Sequence, residues 1–265
     1  MKKLLLIKAL LLTGVLVANG AQAIDISGWS GVGNSGSLGV DGVVTAPPSG
    51  DAQYGWVSTD QGVNGVGLGL GAETNGSVIT SPLFSAGAGD LLEFYFNYVT
   101  SDGAGFADYG WAKLVDDANN DYALLFTART TPGGDTVPGF GMPALNATLE
   151  PASTPIIAGG PVWAPLGSDS GACFSAGCGY TDWIKASFAI ADAGQYALQI
   201  GVVNWSDSLF DSGMAFDGAT IAGEDIGNGG GTPVPEPSMM LLFATGIVSL
   251  VGARLNRKKN QPLTV

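Results

Sequence analysis

The amino-acid sequence predicts an all-β protein, built as an antiparallel β-sandwich of jelly-roll type. Apolar side chains alternate with polar ones along many short segments, which is the two-residue period of a half-buried strand. Glycine contributes 42 of the 265 residues, about twice the usual share of ~7%, and supplies turns between such segments. No part of residues 24–222 carries the 3.6-residue apolar period of a convincing helix.

The first half of residues 24–222 predicts short strands that are separated by glycine. The candidates, in chain order, are residues 37–45, 53–58, 66–70 and 77–80. Their lengths are those of the short strands that sandwiches commonly contain.

The second half predicts longer strands with a clear apolar face. In residues 91–100 this face is predicted to carry Leu92, Phe94, Phe96 and Tyr98. The other candidates are residues 109–115, 122–128, 183–190, 195–203 and 214–221. Residues 116–121 (DDANND) predict a hairpin turn. Seven prolines from Pro132 to Pro165 predict a long surface excursion that interrupts the strands.

The composition excludes several classes of function. The chain has no histidine, which excludes Ser-His-Asp triads, Cys-His dyads and histidine-ligated zinc or haem. Residues 24–235 contain three basic and 22 acidic residues, a net charge of −19. This negative charge repels nucleic acid and anionic lipid, and we therefore expect no nucleic-acid partner. Cations, neutral polymers and sugars are the expected partners.

The first 23 residues predict a secretory signal peptide. Lys2 and Lys3 supply the positive start, and an apolar run follows at residues 9–17. The triplet at residues 21–23 (AQA) is a cleavage site, so the mature chain is predicted to begin at Ile24, directly after Ala23. We therefore expect the Sec translocon and signal peptidase as partners, and an oxidising compartment for the mature protein.

The C-terminal part predicts four consecutive segments. Residues 223–233 form a linker rich in glycine and proline, and residues 234–237 (VPEP) cannot lie inside a helix. Residues 239–253 are apolar and predict a single short transmembrane helix. The basic cluster at residues 254–259 is expected to stay on the cytoplasmic side, and residues 260–265 are a polar tail.

This order of motif, apolar helix and basic cluster resembles the PEP-CTERM sorting signal of exosortase-processed proteins in Gram-negative bacteria. The resemblance covers residues 234–259 and includes the motif Val234, Pro235, Glu236 and Pro237. It implies transient anchoring in the inner membrane and cleavage near the motif by an exosortase. It also implies release to the cell surface or extracellular matrix of bacteria that make exopolysaccharide. The signal indicates a destination and not an activity.

The two cysteines, Cys173 and Cys178, lie in a loop rich in glycine and serine. In an exported protein this pattern predicts a local disulfide. Zinc is the alternative, and two thiolates without other soft ligands disfavour it.

Two sets of aspartates are candidate calcium ligands. The first set is Asp102 and Asp108, and the second is Asp207, Asp211 and Asp217. Calcium takes six to eight oxygen ligands from loops and needs no histidine. The alternative is that these aspartates are solvated turn residues at strand ends. A structural calcium ion is therefore an expectation, and no other cofactor is predicted.

The sequence favours a non-enzymatic surface or matrix protein with a structural or adhesive role, and carbohydrate is the ligand class it suggests. Trp163 and Trp183 are the candidate sugar-stacking residues, because they lie in or beside the long excursion and on an outward face. The alternative is an extracellular glycoside hydrolase, or another matrix-acting hydrolase with paired carboxylates. A carboxylate pair at the bottom of a cleft would favour the hydrolase.

Overall fold

The structure is a computed structural model, and it describes residues 26–227. This part of the chain contains eighteen β-strands and one short 3-10 helix, Ala164–Asp169. The strands are β1 Ser30–Val32, β2 Asn34–Leu38, β3 Tyr54–Ser58, β4 Val63–Asn64, β5 Glu73–Thr80, β6 Phe84–Ala86, β7 Leu91–Thr100, β8 Tyr109–Asp116, β9 Asp121–Arg129, β10 Asp135–Val137, β11 Thr148–Glu150, β12 Thr154–Pro155, β13 Ile157–Ala158, β14 Gly179–Tyr180, β15 Ile184–Ala189, β16 Gly194–Trp205, β17 Ser212–Ile221 and β18 Glu224–Asp225.

Within residues 26–227, two antiparallel sheets contain all of these strands except β10 and β12, which pair with each other. The first sheet, sheet I, has the order β1-β5-β16-β8-β9, with β4 and β6 at its sides. The second, sheet II, has the order β11-β15-β7-β17-β3-β2, and β13, β14 and β18 join it. The predicted all-β class with antiparallel sheets is confirmed.

The strand order is that of a jelly roll. Sheet II contains the neighbours β3-β17-β7-β15, and sheet I contains β5-β16-β8-β9. Along the chain these eight strands alternate between the two sheets, apart from the β8–β9 hairpin. Such alternation closes a double-sheet sandwich and brings distant parts of the sequence into contact.

The main core lies between the two sheets, because the apolar face of each long strand points inward. Leu92, Phe94, Phe96 and Tyr98 are buried, as the alternation predicts. Phe96 of sheet II stacks on Phe126 of sheet I with ring centroids 3.6 Å apart and planes 9° from parallel. Face-to-face packing of the two sheets follows from these contacts.

A second apolar cluster covers part of the outer face of sheet II. Trp163 is fully buried there, and its Nε1 donates a hydrogen bond to Tyr54 Oη at 2.9 Å. A Cβ atom at Gly213 would lie 2.4 Å from the Trp163 ring, so only glycine allows this approach. The proline-rich excursion therefore packs onto the sheet at its C-terminal end and is not wholly a surface segment.

Several predicted strands differ in extent from the structure. The strand predicted at residues 77–80 is β5, which begins at Glu73. Residues 66–70 form no strand, because Gly65, Gly67 and Gly69 adopt φ angles of 86°, 133° and 75°. The strand predicted at residues 37–45 is β2, which ends at Leu38. The folded region also extends past residue 222, since β18 pairs with β17 and Ile226 is buried in the core.

The signal peptide with its cleavage site at Ala23 and Ile24 lies outside the described residues, as does the sorting motif Val234 to Pro237. The same holds for most of the linker, the apolar segment 239–253 and the polar tail. Over residues 26–227, no helix has the length and apolar character needed to cross a membrane.

Candidate functional site

A cleft lies on the outer face of sheet II. Its volume is about 320 Å³, and its walls come from β7, β15, β17 and β18 and from the loop before β3. The polar lining residues are Ser49, Asp51, Glu93, Tyr95, Lys185, Thr220 and Asp225. Such a volume is at the lower end of the ~300–1,000 Å³ that is usual for small-ligand sites.

Strand alternation places the cleft residues on one face. Phe94 and Phe96 of β7 point into the core, so Glu93 and Tyr95 point outward. Lys185 of β15 is paired with Tyr95, and its Nζ lies 2.6 Å from Glu93 Oε1. This hydrogen bond from Lys185 to Glu93 raises the pKa of the lysine.

A bulge in β17 forms one edge of the cleft. The register between β17 and β7 shifts between Asp217 and Thr220, and Gly218 adopts a φ of 61°. A Cβ atom at Gly218 would lie 3.1 Å from Ser49 Cβ, so glycine allows the loop before β3 to approach the sheet.

Asp217 lies beneath the cleft and is fully buried. Its Oδ2 accepts a hydrogen bond from Ser49 Oγ, whereas its Oδ1 has no hydrogen-bond partner among the described residues. Burial raises the pKa of Asp217 to about 7, and the charges of Asp51 and Asp225 add to this rise. The hydrogen bonds from the Ser49 side chain and the Gly218 backbone oppose it.

Asp51 and Asp225 add negative charge at the same place. Burial raises the pKa of Asp51, the hydrogen bond with Ser49 opposes this shift, and the charge of Asp225 adds to it. Asp225 accepts a hydrogen bond from the Gly227 backbone N–H at 2.6 Å. The cleft therefore combines Asp51 and Asp225 with one lysine that is already paired with Glu93, and Asp217 is buried beneath them.

A second polar cluster closes one end of the sandwich. Asp108 is fully buried there, and its carboxylate accepts hydrogen bonds from Ser212 Oγ at 2.6 Å and from the Trp205 backbone N–H at 2.9 Å. Ser212 Oγ also lies 2.7 Å from Thr100 Oγ1. Burial raises the pKa of Asp108 well above its ordinary value.

Asp102 and Asp207 belong to this second cluster. Asp102 is almost fully buried, with Oδ1 accepting the Gly103 backbone N–H at 2.6 Å and Oδ2 without a partner among the described residues. Burial raises the pKa of Asp102 to about 7, and the charge of Asp207 raises it further. The structure thus brings Asp102, Asp108 and Asp207 together.

Asp211 and Asp217 lie apart from the cluster of Asp102, Asp108 and Asp207. Asp211 accepts a hydrogen bond from Thr59 Oγ1 at 2.8 Å, and burial raises its pKa to about 6 with a contribution from Asp169. Asp217 lies six residues further along the chain, within β17, and contacts Ser49 beside the outer cleft. Six residues of extended strand span roughly 20 Å.

Over residues 26–227, no three His, Cys, Asp or Glu side chains are arranged to hold a metal ion between them. The calcium predicted at the aspartates stays a prediction. Such an ion would use hydroxyl, backbone carbonyl and water oxygens in addition to carboxylates.

The two tryptophans that the sequence suggested for sugar stacking lie in different environments. Trp163 is fully buried against Gly213 and Tyr54, so its ring offers no face to a ligand in this structure. Trp183 is half-buried, and its Nε1 donates a hydrogen bond to the Thr45 carbonyl at 3.2 Å. Its ring meets Tyr54 edge-on at 5.8 Å.

The disulfide predicted between Cys173 and Cys178 is confirmed. Between the two cysteines lies Phe174, whose ring centroid is 5.7 Å from that of Phe106 and 5.0 Å from that of Phe210. The disulfide therefore stiffens a loop that presents one part of an aromatic cluster at the surface.

Sequence reasoning missed the residues that form the cleft. Ser49 and Asp51 belong to a loop, and Asp225 belongs to the two-residue strand β18, so neither segment has a periodic pattern. Glu93 and Lys185 carry a usable signal, because each occupies an outward position of a predicted strand. Their proximity depends on the pairing of β7 with β15, which no local pattern defines.

Comparison with known proteins identifies a feature of the C-terminus. The family model of the PEP-CTERM protein-sorting motif matches residues 233–258. The chain therefore carries this sorting motif, which implies processing by an exosortase and an exported, cell-envelope protein. No curated protein matches the chain as a whole.

Two solved structures share a distant likeness in fold. One is the enzymatically active domain of tailspike protein 4 of bacteriophage CBA120, with a TM-score of 0.33 and 11% identity. The match covers 77% of this chain but only 21% of the tailspike chain. The other is the cleaved adhesin domain of Lys-gingipain from Porphyromonas gingivalis, with a TM-score of 0.33 and 9% identity over 74% of this chain and 90% of that one.

Proposed function

Because the chain carries a PEP-CTERM protein-sorting motif, we propose that its mature form is an exosortase-processed protein of the cell surface or extracellular matrix. We propose further that its sandwich has a structural or adhesive role and binds a neutral carbohydrate polymer without cleaving it. The cleft on sheet II is the single observation that carries this binding function.

The chemistry of the cleft suits sugar hydroxyl groups. The Glu93 carboxylate accepts hydrogen bonds, the Lys185 ammonium donates them, and both are only partly engaged by their mutual ion pair. Tyr95 stands beside them and supplies an aromatic ring with a hydroxyl group. A hydroxyl-rich ring would find donors, acceptors and an apolar contact within one small cleft.

The charge of the protein favours a neutral polymer. Residues 24–235 carry a net charge of −19, and this field repels uronates and sulfated sugars. A neutral exopolysaccharide is the class of ligand that meets no such repulsion and that the destination of the protein supplies.

The hydrolase alternative has one observation in its favour. Glu93 and Asp217 lie on neighbouring strands, and Asp217 has the raised pKa that a general acid needs. A catalytic carboxyl must touch the glycosidic oxygen, however, and Asp217 is fully buried beneath Ser49. Glu93 is paired with Lys185. These contacts favour binding without hydrolysis.

The binding proposal is tested with a panel of neutral and anionic polysaccharides and the full-length protein. We expect binding of neutral polymers, measured by calorimetry, and a loss of affinity of about tenfold or more in Tyr95→Ala, since a contact of ~1.4 kcal/mol corresponds to tenfold. The control is Tyr180→Ala, a half-buried tyrosine of β14 that does not line the cleft.

Equal affinities of both variants and the wild type would contradict the proposed site. Release of reducing ends from a bound polymer, abolished in Glu93→Gln, would establish the hydrolase instead.

A further inference from the structure

The clearest unexplained feature outside the carbohydrate-binding chemistry is the buried carboxylate beneath the cleft. Asp217 is fully buried, and its Oδ1 has no hydrogen-bond partner among the described residues. An ionised carboxylate in such a place is costly unless a donor or a cation compensates it.

No basic side chain compensates Asp217. Residues 26–227 contain three basic residues. Lys185 is 2.6 Å from Glu93, and Lys113 is 2.6 Å from Asp121. Arg129 donates to the Ala107 carbonyl and stacks over Trp205. Asp217 therefore has no cationic partner among residues 26–227.

Oxygen atoms dominate the surroundings of Asp217. Ser49 Oγ is hydrogen bonded to Oδ2, and Asp51 and Asp225 are close enough for their charges to act on this carboxyl. Hard divalent cations prefer carboxylate, hydroxyl and backbone oxygen ligands, and calcium accepts irregular sets of six to eight.

We propose that a calcium ion binds beneath the cleft, with Asp217 as its central ligand and with Asp51 and the Ser49 hydroxyl beside it. Because no three acidic side chains converge in this part of the chain, backbone carbonyls and water complete the coordination. The ion ties the loop before β3 to the bulge of β17. This site does not depend on carbohydrate binding.

A site with few carboxylates predicts modest affinity. Extracellular calcium modules have dissociation constants of about 10⁻⁴–10⁻³ M. Calcium at 1 mM should therefore raise the Tm of the protein by about 1–6 °C, because a ligand that binds only the folded state stabilises it. Magnesium should do less, since it needs stricter octahedral geometry.

Competition between protons and calcium for the Asp217 carboxylate gives a second test of the proposed site. Asp217 must be ionised to bind calcium, so the apparent affinity for calcium should fall as the pH is lowered. The other titratable groups that face this site are Asp51, Asp225, Tyr95 and the pair of Glu93 with Lys185. Calcium binding should release protons, which calorimetry detects as a heat that depends on the buffer.

The experiment uses the full-length protein in detergent, stripped with EDTA and titrated with calcium, magnesium or sodium chloride of equal ionic strength. We expect the calcium-specific rise in Tm to disappear in Asp217→Asn and to remain in Asp117→Asn, an exposed aspartate of the β8–β9 turn. Should Asp217→Asn fail to fold, Asp51→Asn serves instead and should weaken calcium binding about tenfold or more.

Three results would overturn the inference. One is a sodium response equal to that of calcium, which indicates general screening. Another is a calcium-dependent rise in Tm that is unchanged in both single variants, Asp51→Asn and Asp217→Asn. The third is loss of the response in Asp102→Asn, which would place the ion at the other polar cluster.

Discussion

Two aspartates at opposite ends of β8 have opposite properties. Asp116 lies at the surface, where hydrogen bonds from the side chain and backbone of Asn120 lower its pKa. Asp108 precedes the same strand and is fully buried, and burial raises its pKa well above the ordinary value. The environment, and not the residue type, decides whether an aspartate is a solvated turn residue or part of a buried network.

The first prediction concerns this buried network. Ser212→Ala removes the hydroxyl that donates to Asp108 Oδ2, and it leaves a buried acceptor without that donor. We expect the free energy of unfolding to fall by about 1–3 kcal/mol, measured by urea denaturation. The control is Ser187→Ala on the outer face of β15, where the change should be within about 0.5 kcal/mol. Equal effects would show that the network adds no stability.

At the scale of residues, the sequence was a partial guide to the candidate sites. It selected Asp102, Asp108 and Asp217, each of which is buried in the structure. It grouped Asp217 with Asp211 because they are close in the chain. An extended strand separates them, and the contact of Asp217 with Ser49 spans 168 positions of the sequence. No local pattern encodes that contact.

At the scale of elements, the long strands were well predicted and the glycine-rich ones were not. The strand predicted at residues 91–100 coincides with β7, because four apolar residues at alternate positions define its inward face. In residues 66–70 the apolar residues alternate with glycines that adopt positive φ. The alternation of apolar residues with glycine then comes from a series of turns, and it does not indicate a β-strand.

The second prediction concerns the packing of the excursion on sheet II. Gly213→Ala places a Cβ atom 2.4 Å from the buried Trp163 ring and 2.8 Å from the Val57 carbonyl oxygen, so the ring must move. We expect a loss of about 1–3 kcal/mol in the free energy of unfolding, which is typical of an overpacked core. The matched control is Gly133→Ala, where a Cβ atom meets nothing within 4 Å.

Tryptophan fluorescence separates the local effect from a global one. A displaced Trp163 should become more exposed in Gly213→Ala, while the far-UV CD spectrum keeps its β form. An unchanged stability and emission spectrum in this variant would contradict the packing that holds Trp163 on the sheet.

At the scale of the whole molecule, the jelly-roll order explains how the cleft is assembled. β7, β15 and β17 are neighbours in sheet II although about 120 residues separate the first from the last. Their outward residues become one surface, and the loop before β3 borders it because β3 pairs with β17. The sequence predicted the class of this architecture, whereas the cleft depends on pairings that only the folded chain defines.

The distribution of charge also belongs to the whole molecule. Seven of the ten basic residues lie in the first eight or the last twelve positions, and the part between them has a large negative charge. The basic C-terminal cluster favours retention on the cytoplasmic side, while the acidic body is exported. This asymmetry agrees with a sorting motif at residues 233–258.

The last prediction follows from this arrangement. In a host with a matching exosortase, the surface-released protein should lack the residues beyond the Pro235 to Pro237 region, as measured by intact mass. Replacing Pro235, Glu236 and Pro237 with alanine should leave the protein in the inner membrane, because the motif is removed while the apolar segment and basic cluster remain. The matched control is Gln261→Ala, which lies beyond the matched residues and should be processed normally. Surface-released protein that still contains residues 239–265 would contradict processing at the motif, since the apolar segment would then have left the membrane uncleaved.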